Sequence, residues 1–292
     1  MYLESIEDNN MIYSVDMIRL KTYITYSEFS NLEFLINTDY KSKVKKLWLS
    51  DRVMCFKYNY VIELEEGKSF YFGFHCNNEK LQFFKSDVKY NLTVEFNPNK
   101  IKDAPLLLHI LHMSGDWYLR SLDLAVDLKI NILDLILSKT GKRTLKSISN
   151  GYDDKTYYIG TGDRRIKIYN KKKESNLKNV NELTRVEVSI QFEDFRLIDI
   201  KIFKLPEDLF PEIYTNDYIY SLSDYKDKTT FALLYAVQTG FPIDDLSRRY
   251  KEKIQGLLRG GHRVRFSRKT SDEVIRRTVF HYLMPNELVR WH

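Results

Sequence analysis

Three short stretches of this chain alternate in a way that puts reactive side chains on one side of a strand. In "RRIKIYNK" (164–171), Arg165, Lys167 and Tyr169 fall on one face of a period-two pattern, and Ile166 and Ile168 on the other. A tyrosine used only for packing belongs with the isoleucines; this one shares its face with two cations. In "RSLDLAVDL" (120–128), Asp123, Ala125 and Asp127 share a face opposite Leu122, Leu124 and Val126. In "TRVEVSI" (184–190), Arg185, Glu187 and Ser189 lie opposite Val186 and Val188. Aspartate is disfavoured inside strands, and it costs free energy there unless it is solvated, paired or bound to a cation.

If these strands are neighbours, Asp123, Glu187 and Tyr169 meet on one polar face. Oxygen ligands of this kind suit Mg²⁺ or Mn²⁺, and such an ion would polarise a phosphate. The Tyr169 oxygen could then attack phosphorus, with Arg165 and Lys167 holding the developing charge. Asp127 is a third acidic candidate, one pleat further from the tyrosine. The same pattern also arises on the wet face of an ordinary antiparallel sheet, through Asp–Arg or Glu–Lys cross-strand pairs. Tyr157 and Tyr158 compete as nucleophiles, one facing into the sheet and one outward, but neither has basic neighbours as close. His75, in "FGFHC", is a further candidate ligand. His109 and His112 have no partner at zinc spacing. The "GTG" at 160–162 lacks the Gly-Lys-Ser/Thr of a nucleotide-binding loop, which argues against an NTPase.

These stretches need a scaffold. Residues 11–24 read as a strand, and "SEFSNLEFLINT" as an amphipathic helix capped by Ser27 or Ser30. The segment from 45 to 100 is β-rich, with "EEGKS" as a hairpin turn. "APLLLHILHMSG" and "NILDLILSKTG" read as helices, and "KTYYIGT" as a strand beside "RRIKIYNK". From about Pro206 the pattern turns helical, in "DKTTFALLYAVQTG", "PIDDLSRRYKEKIQGLLRGG" and "SDEVIRRTVFHYLM". The expected fold is α+β: an antiparallel-sheet domain over 1–205, followed by a mostly helical segment over 206–292.

Composition narrows the class further. The 292 residues are 43% hydrophobic and 14% aromatic, enough for a real core. No run approaches the roughly 20 apolar residues of a membrane helix, and the acidic N-terminus is unlike a secretory signal. Cys55 and Cys76 fit no zinc spacing and make no disulfide framework, which favours a reducing cytosol. A net charge of +6 is mild, but it is gathered at 164–173 and 248–269. Lys171, Lys172 and Lys173 in the first cluster, and Arg248, Arg249, Arg263, Arg265 and Arg268 in the second, are candidate DNA-phosphate contacts. The second cluster is the candidate for recognising duplex.

The segments "TVEFNPNK" (93–100), "RSLDLAVD" (120–127), "TYYIGTGDRRIKIYNKKKE" (156–174) and "LTRVEVSI" (183–190), in this order, resemble the replication initiation factor family, and "VDMIRLK" is a weaker match. That family comprises rolling-circle plasmid initiators and related relaxases of integrative elements and phages, and it is similar to the HUH endonucleases. The resemblance implies an HUH-like nicking domain that cuts origin DNA site-specifically. It implies a 5′-phosphotyrosyl intermediate on Tyr169, then strand transfer and religation. It also implies a homodimer, a host helicase as partner and a bacterial cytoplasm. One departure stands out: Lys167 occupies a position where the family usually has Arg. The charge is kept, but the two-pronged phosphate grip is lost. A relaxase of a conjugative element or a phage initiator would use the same chemistry. A regulator that binds the origin without cutting is the rival of another class.

Overall fold

The structure is a computed structural model that describes residues 5–41, 44–47, 56–64, 68–76, 88–101, 104–138, 144–149, 155–160, 164–175, 182–215, 227–239, 241–259 and 263–283. Cys55, the tip of the expected "EEGKS" turn and most of the "GTGD" connection lie outside them. The described strands are β1 (Ile6–Asp8), β2 (Met11–Thr25), β3 (Val44–Leu47), β4 (Phe56–Glu63), β5 (Ser69–Cys76), β6 (Lys89–Phe96), β7 (Tyr118–Leu128), β8 (Leu135–Ser138), β9 (Leu145–Ser149), β10 (Lys155–Ile159), β11 (Arg164–Asn170), β12 (Thr184–Arg196) and β13 (Glu212–Thr215). The helices are α1 (Tyr26–Asp39), α2 (Pro105–His112), α3 (Lys171–Glu174), α4 (Lys228–Gln238), α5 (Arg248–Arg259) and α6 (Arg268–Leu283).

The fold is α+β, as the alternation predicts. Eleven strands form one antiparallel sheet in the order β3-β4-β5-β6-β2-β7-β12-β11-β10-β9, with β1 beside β2. One face is apolar. Leu20, Val94, Phe72, Leu124, Val188 and Ile166 are buried there, and α1 and α6 cover it. Phe29 of α1 stacks on Phe74 at 4.0 Å, and Tyr282 of α6 sits 4.9 Å from Phe96. Burial of this face drives the folding of the sheet. The opposite face carries the charged positions of β7, β11 and β12.

Local expectations are corrected at two places. The cap of α1 is Thr25 rather than Ser27 or Ser30: its hydroxyl accepts from the Glu28 amide, and Glu28 reaches back to the Thr25 amide. A helix is expected over 131–141; its described residues, up to Ser138, form instead a 3₁₀ turn, Ile132–Asp134, followed by β8. Leu135, Ile136 and Leu137 are compatible with either form, and pairing with the distant β13 selects the strand.

The helical C-terminal segment does not stand apart from the sheet. Val274, Ile275, Val279 and Tyr282 of α6 belong to the sheet's own core. A second, smaller core joins Ile136 of β8 to Tyr214, Leu234, Val237, Ile254 and Leu258, drawing on both sides of residue 206. Among the described residues, no helix is long and apolar enough to cross a membrane.

Candidate active site

Register brings the three reactive strands side by side. β11 pairs with β12, and β12 with β7. One row across them reads Arg165, Ser189, Asp123; the next Lys167, Glu187, Ala125; the third Tyr169, Arg185, Asp127. Directly opposed residues of antiparallel strands present their side chains on the same face, so all nine share the polar face. The Tyr169 hydroxyl donates to Glu187 Oε2 at 3.2 Å. Lys167 Nζ lies 4.1 Å from the centre of the Tyr169 ring, and Lys171 Nζ 5.9 Å. These two lysines cover a ring that is only 5% exposed. Tyr157 turns to the core side, and Tyr158 shares the Tyr169 face, opposite Lys167.

Asp127, the third acidic candidate, is held by a cation of the chain itself. Arg185, 2% exposed, grips it with two prongs: Nε to Oδ1 at 2.6 Å and a terminal nitrogen to Oδ2 at 2.8 Å. The other terminal nitrogen of Arg185 reaches Asp16 Oδ2 at 3.1 Å. Burial opposes the Arg185 charge, and Asp127 and Asp16 more than offset it, so the guanidinium stays fully charged. Arg185 and Asp127 are therefore a buried brace under the tyrosine.

Asp16 is a site residue that strand alternation overlooks. β2 buries Tyr13 and Val15, then Ile18 and Leu20. The three-residue step marks a bulge: Val15 pairs with Leu124 and Met17 with Asp123, leaving Asp16 as the extra residue. The bulge turns Asp16 onto the polar face beside Asp123. Asn97 donates to Asp16 Oδ1 at 3.3 Å, and Asn99 to the Val15 carbonyl at 2.8 Å. The "NPN" stretch after β6 thus props the bulge. The break in phase within "YSVDMIRL" was the available sequence signal.

The electrostatics of the face are those of crowded, half-buried carboxylates. Burial, then Asp123 and Asp16, push the Glu187 carboxyl above the usual range, against Lys167 and the Tyr169 hydrogen bond. Burial, with Asp16 and Glu95, does the same to Asp123, against Ser189 and Arg165. Burial, then Glu187, hold the Tyr169 phenol far above its ordinary value, and Arg185 opposes this. The phenol is protonated in the free protein, with a proton-hungry carboxylate on its oxygen. A raised carboxyl pKa lowers stability as pH rises through it. Glu187→Gln should therefore raise stability at pH 7, and the gain should vanish in acid, where Glu187 is protonated in both folded and unfolded chains. Melting curves at the two pH values check this.

Among the described residues, no three His, Cys, Asp or Glu side chains form a group able to hold a metal ion by themselves. Asp123 and Glu187 are a pair of repelling carboxylates, and Mg²⁺ is commonly held by one or two carboxylates completed by water and substrate phosphate. His75 is remote: it is buried on β5, edge-on to Tyr90 at 5.2 Å, with β6 and β2 between it and β7. The expected DNA contacts fall into three groups. Lys171, Lys172 and Lys173 start the short helix after Tyr169, with Lys171 paired to Glu174 and Lys172 to Glu182. Arg248 and Arg249 lie exposed on α5, Arg248 paired with Glu252. Arg263, Arg265 and Arg268 line a cleft with Phe210 and Phe266, whose rings stack at 4.4 Å.

Fold and site together define an antiparallel-sheet α+β protein with a tyrosine between acidic and basic groups on its open face. No family model and no curated protein matches the chain. A solved structure of a rolling circle replication initiator protein from Geobacillus stearothermophilus aligns with 88% of this chain and 99% of its own, at 12% identity and a TM-score of 0.39. A likeness at that level assigns neither fold nor activity, and the fold class rests on the sheet and helices described above.

Proposed function

We propose that this chain is a DNA nicking and closing enzyme that starts rolling-circle replication, with Tyr169 as nucleophile. The observation that carries the reading is the hydrogen bond from the Tyr169 hydroxyl to Glu187, on a face that also holds Asp123, Arg165 and Lys167. Glu187 takes the phenol proton, and the tyrosine oxygen bonds to phosphorus. The P–O3′ bond breaks, and the 3′ oxygen takes up the proton from Glu187, relayed through water. The products are a 5′-phosphotyrosyl enzyme and a free 3′-OH that can prime synthesis. Attack by a 3′-OH on the adduct reverses these steps and closes the strand. A bound phosphate would draw Lys167 and Lys171 off the ring, uncovering the tyrosine as the charge develops. Held by Asp123 and Glu187, a Mg²⁺ or Mn²⁺ ion would polarise the phosphate. Arg185 and Asp127 keep the Tyr169 row in place.

The metal reading is tested on a supercoiled plasmid carrying the DNA that flanks the coding gene. Excess EDTA should stop nicking, Mn²⁺ should restore it, and Asp123→Ala should lose it under both conditions. Full activity in EDTA would remove the metal from this account. The same assay separates enzyme from binding regulator, since only the enzyme leaves a covalent adduct on a denaturing gel. Origin recognition is assigned to the basic groups of the C-terminal segment. Replacing Arg248, Arg249 and Arg265 together with Gln should lower the slope of log affinity against log salt by about 0.9 per lost phosphate contact.

A complete cycle needs one cut to open the origin and another to release the product. Tyr169 stands singly on its strand, followed by Asn170 and Lys171. The second cut therefore needs another group, and the resemblance to the initiator family implies the tyrosine of a second copy, in a homodimer.

A further inference from the structure

The polar face that carries Tyr169 does not end at β11. In register, Tyr169 stands opposite Thr156 and Thr156 opposite Ile148, while Lys167 stands opposite Tyr158 and Tyr158 opposite Lys146. Side chains so opposed share a face, so β10 and β9 extend the candidate active site outward by two strands. The core sides of the same strands are accounted for: Ile159 is buried, and Tyr157 packs against the main core. On the polar side, Ile148 is 54% exposed and Lys146 is exposed. Tyr158 is half-buried, and among the described residues it has no hydrogen-bond partner or ring contact. Among the described residues, an exposed isoleucine beside a tyrosine, framed by Lys146 and Lys167, has no packing explanation. At about 4.8 Å between neighbouring strands, Ile148 lies roughly 10 Å across the sheet from Tyr169.

We propose that Tyr158, Ile148 and Lys146 form the seat for the nucleotides flanking the scissile phosphate, on a single strand of DNA. A flat surface with an aromatic ring, an aliphatic contact and cations matches unpaired bases, whose faces are open for stacking, together with their phosphates. A duplex hides those faces. The strip is continuous with the candidate nucleophile, so a strand with its phosphate at Tyr169 would run over it. Base contact falls to Tyr158 and Ile148, and the adjoining phosphate to Lys146. The inference rests on the reading of Tyr169 as nucleophile.

The test uses the full chain and single-stranded oligonucleotides tiled from the DNA flanking the coding gene. Tyr158→Thr and Ile148→Thr keep β-branched residues on the strands, and melting curves confirm folding. Each should raise KM for cleavage roughly 5- to 100-fold, with kcat unchanged. An abasic nucleotide in the flanking position should erase the difference between wild type and Tyr158→Thr. Lys146→Gln should lower the salt slope of binding by about 0.7. A second arm measures fluorescence anisotropy of the same oligonucleotides in a Tyr169→Phe background, where the seat is read without cleavage. Unchanged affinity and KM in both threonine variants would overturn the seat, whatever becomes of Tyr169. If Tyr169→Phe still cleaves, the nucleophile assignment fails, and the anisotropy arm alone decides the seat. A change only in the sedimentation of the protein without DNA would make the strip a contact between copies, and that also overturns the proposal.

Discussion

Tyr169→Phe should abolish covalent attachment to DNA while leaving DNA affinity close to that of the wild type. The substitution removes one oxygen and keeps the ring, with Lys167 4.1 Å above it. The structural loss is the 3.2 Å hydrogen bond to Glu187, worth about 1 kcal/mol. The chemical loss is the atom that bonds to phosphorus. Deleting a nucleophile that works with a partnered base typically costs at least ~10⁴-fold in rate. A labelled oligonucleotide and a denaturing gel read the result directly, and anisotropy reads the affinity. Tyr157 is turned to the core and is a poor substitute. Tyr158 shares the Tyr169 face and stands across from Lys167, so a persisting adduct would move the nucleophile there.

Asp127→Ala should destabilise the protein by about 3–5 kcal/mol, because it leaves the Arg185 guanidinium buried without its main partner. For a domain whose total stability is about 5–15 kcal/mol, that is a large share, and the melting temperature should fall by about 10 °C. Asp16 holds the remaining guanidinium nitrogen at 3.1 Å, one contact against the two that Asp127 makes. Asp123→Ala should behave in the opposite way. Its carboxyl is held above the usual range by burial and by Asp16 and Glu95, so removing it relieves repulsion and leaves stability equal or higher, while nicking is lost. The contrast separates two aspartates that are indistinguishable by alternation. Asp127→Ala with an unchanged melting curve and a lost response to Mn²⁺ would return Asp127 to the metal.

Much of the candidate site was legible because alternation is a local property of a strand. Period two alone sends Tyr169, Lys167, Glu187 and Asp123 away from Ile168, Val188 and Leu124, and the sheet buries the apolar set as expected. The α+β class was legible for the same reason, since the long central strands and the helices after Pro206 declare their own periodicity. Partnership between strands is not local. No pattern within "TRVEVSI" says that Arg185 will lie between Tyr169 and Asp127, and that register decides that Asp127 braces the site.

The same limit explains the 131–141 segment. Its leucines and isoleucines suit helix or strand, and the choice was made by β13, which arrives from beyond residue 211. Asp16 is an intermediate case. The step from Val15 to Ile18 is written in the chain, but only the pairing of β2 with β7 turns that break into a bulge aimed at Asp123. Local alternation sets which side chains face away from the core, because that depends on neighbours one or two residues distant. Strand pairing sets which of them meet and which are spent on each other, because hydrogen-bonded register joins segments that are far apart along the chain.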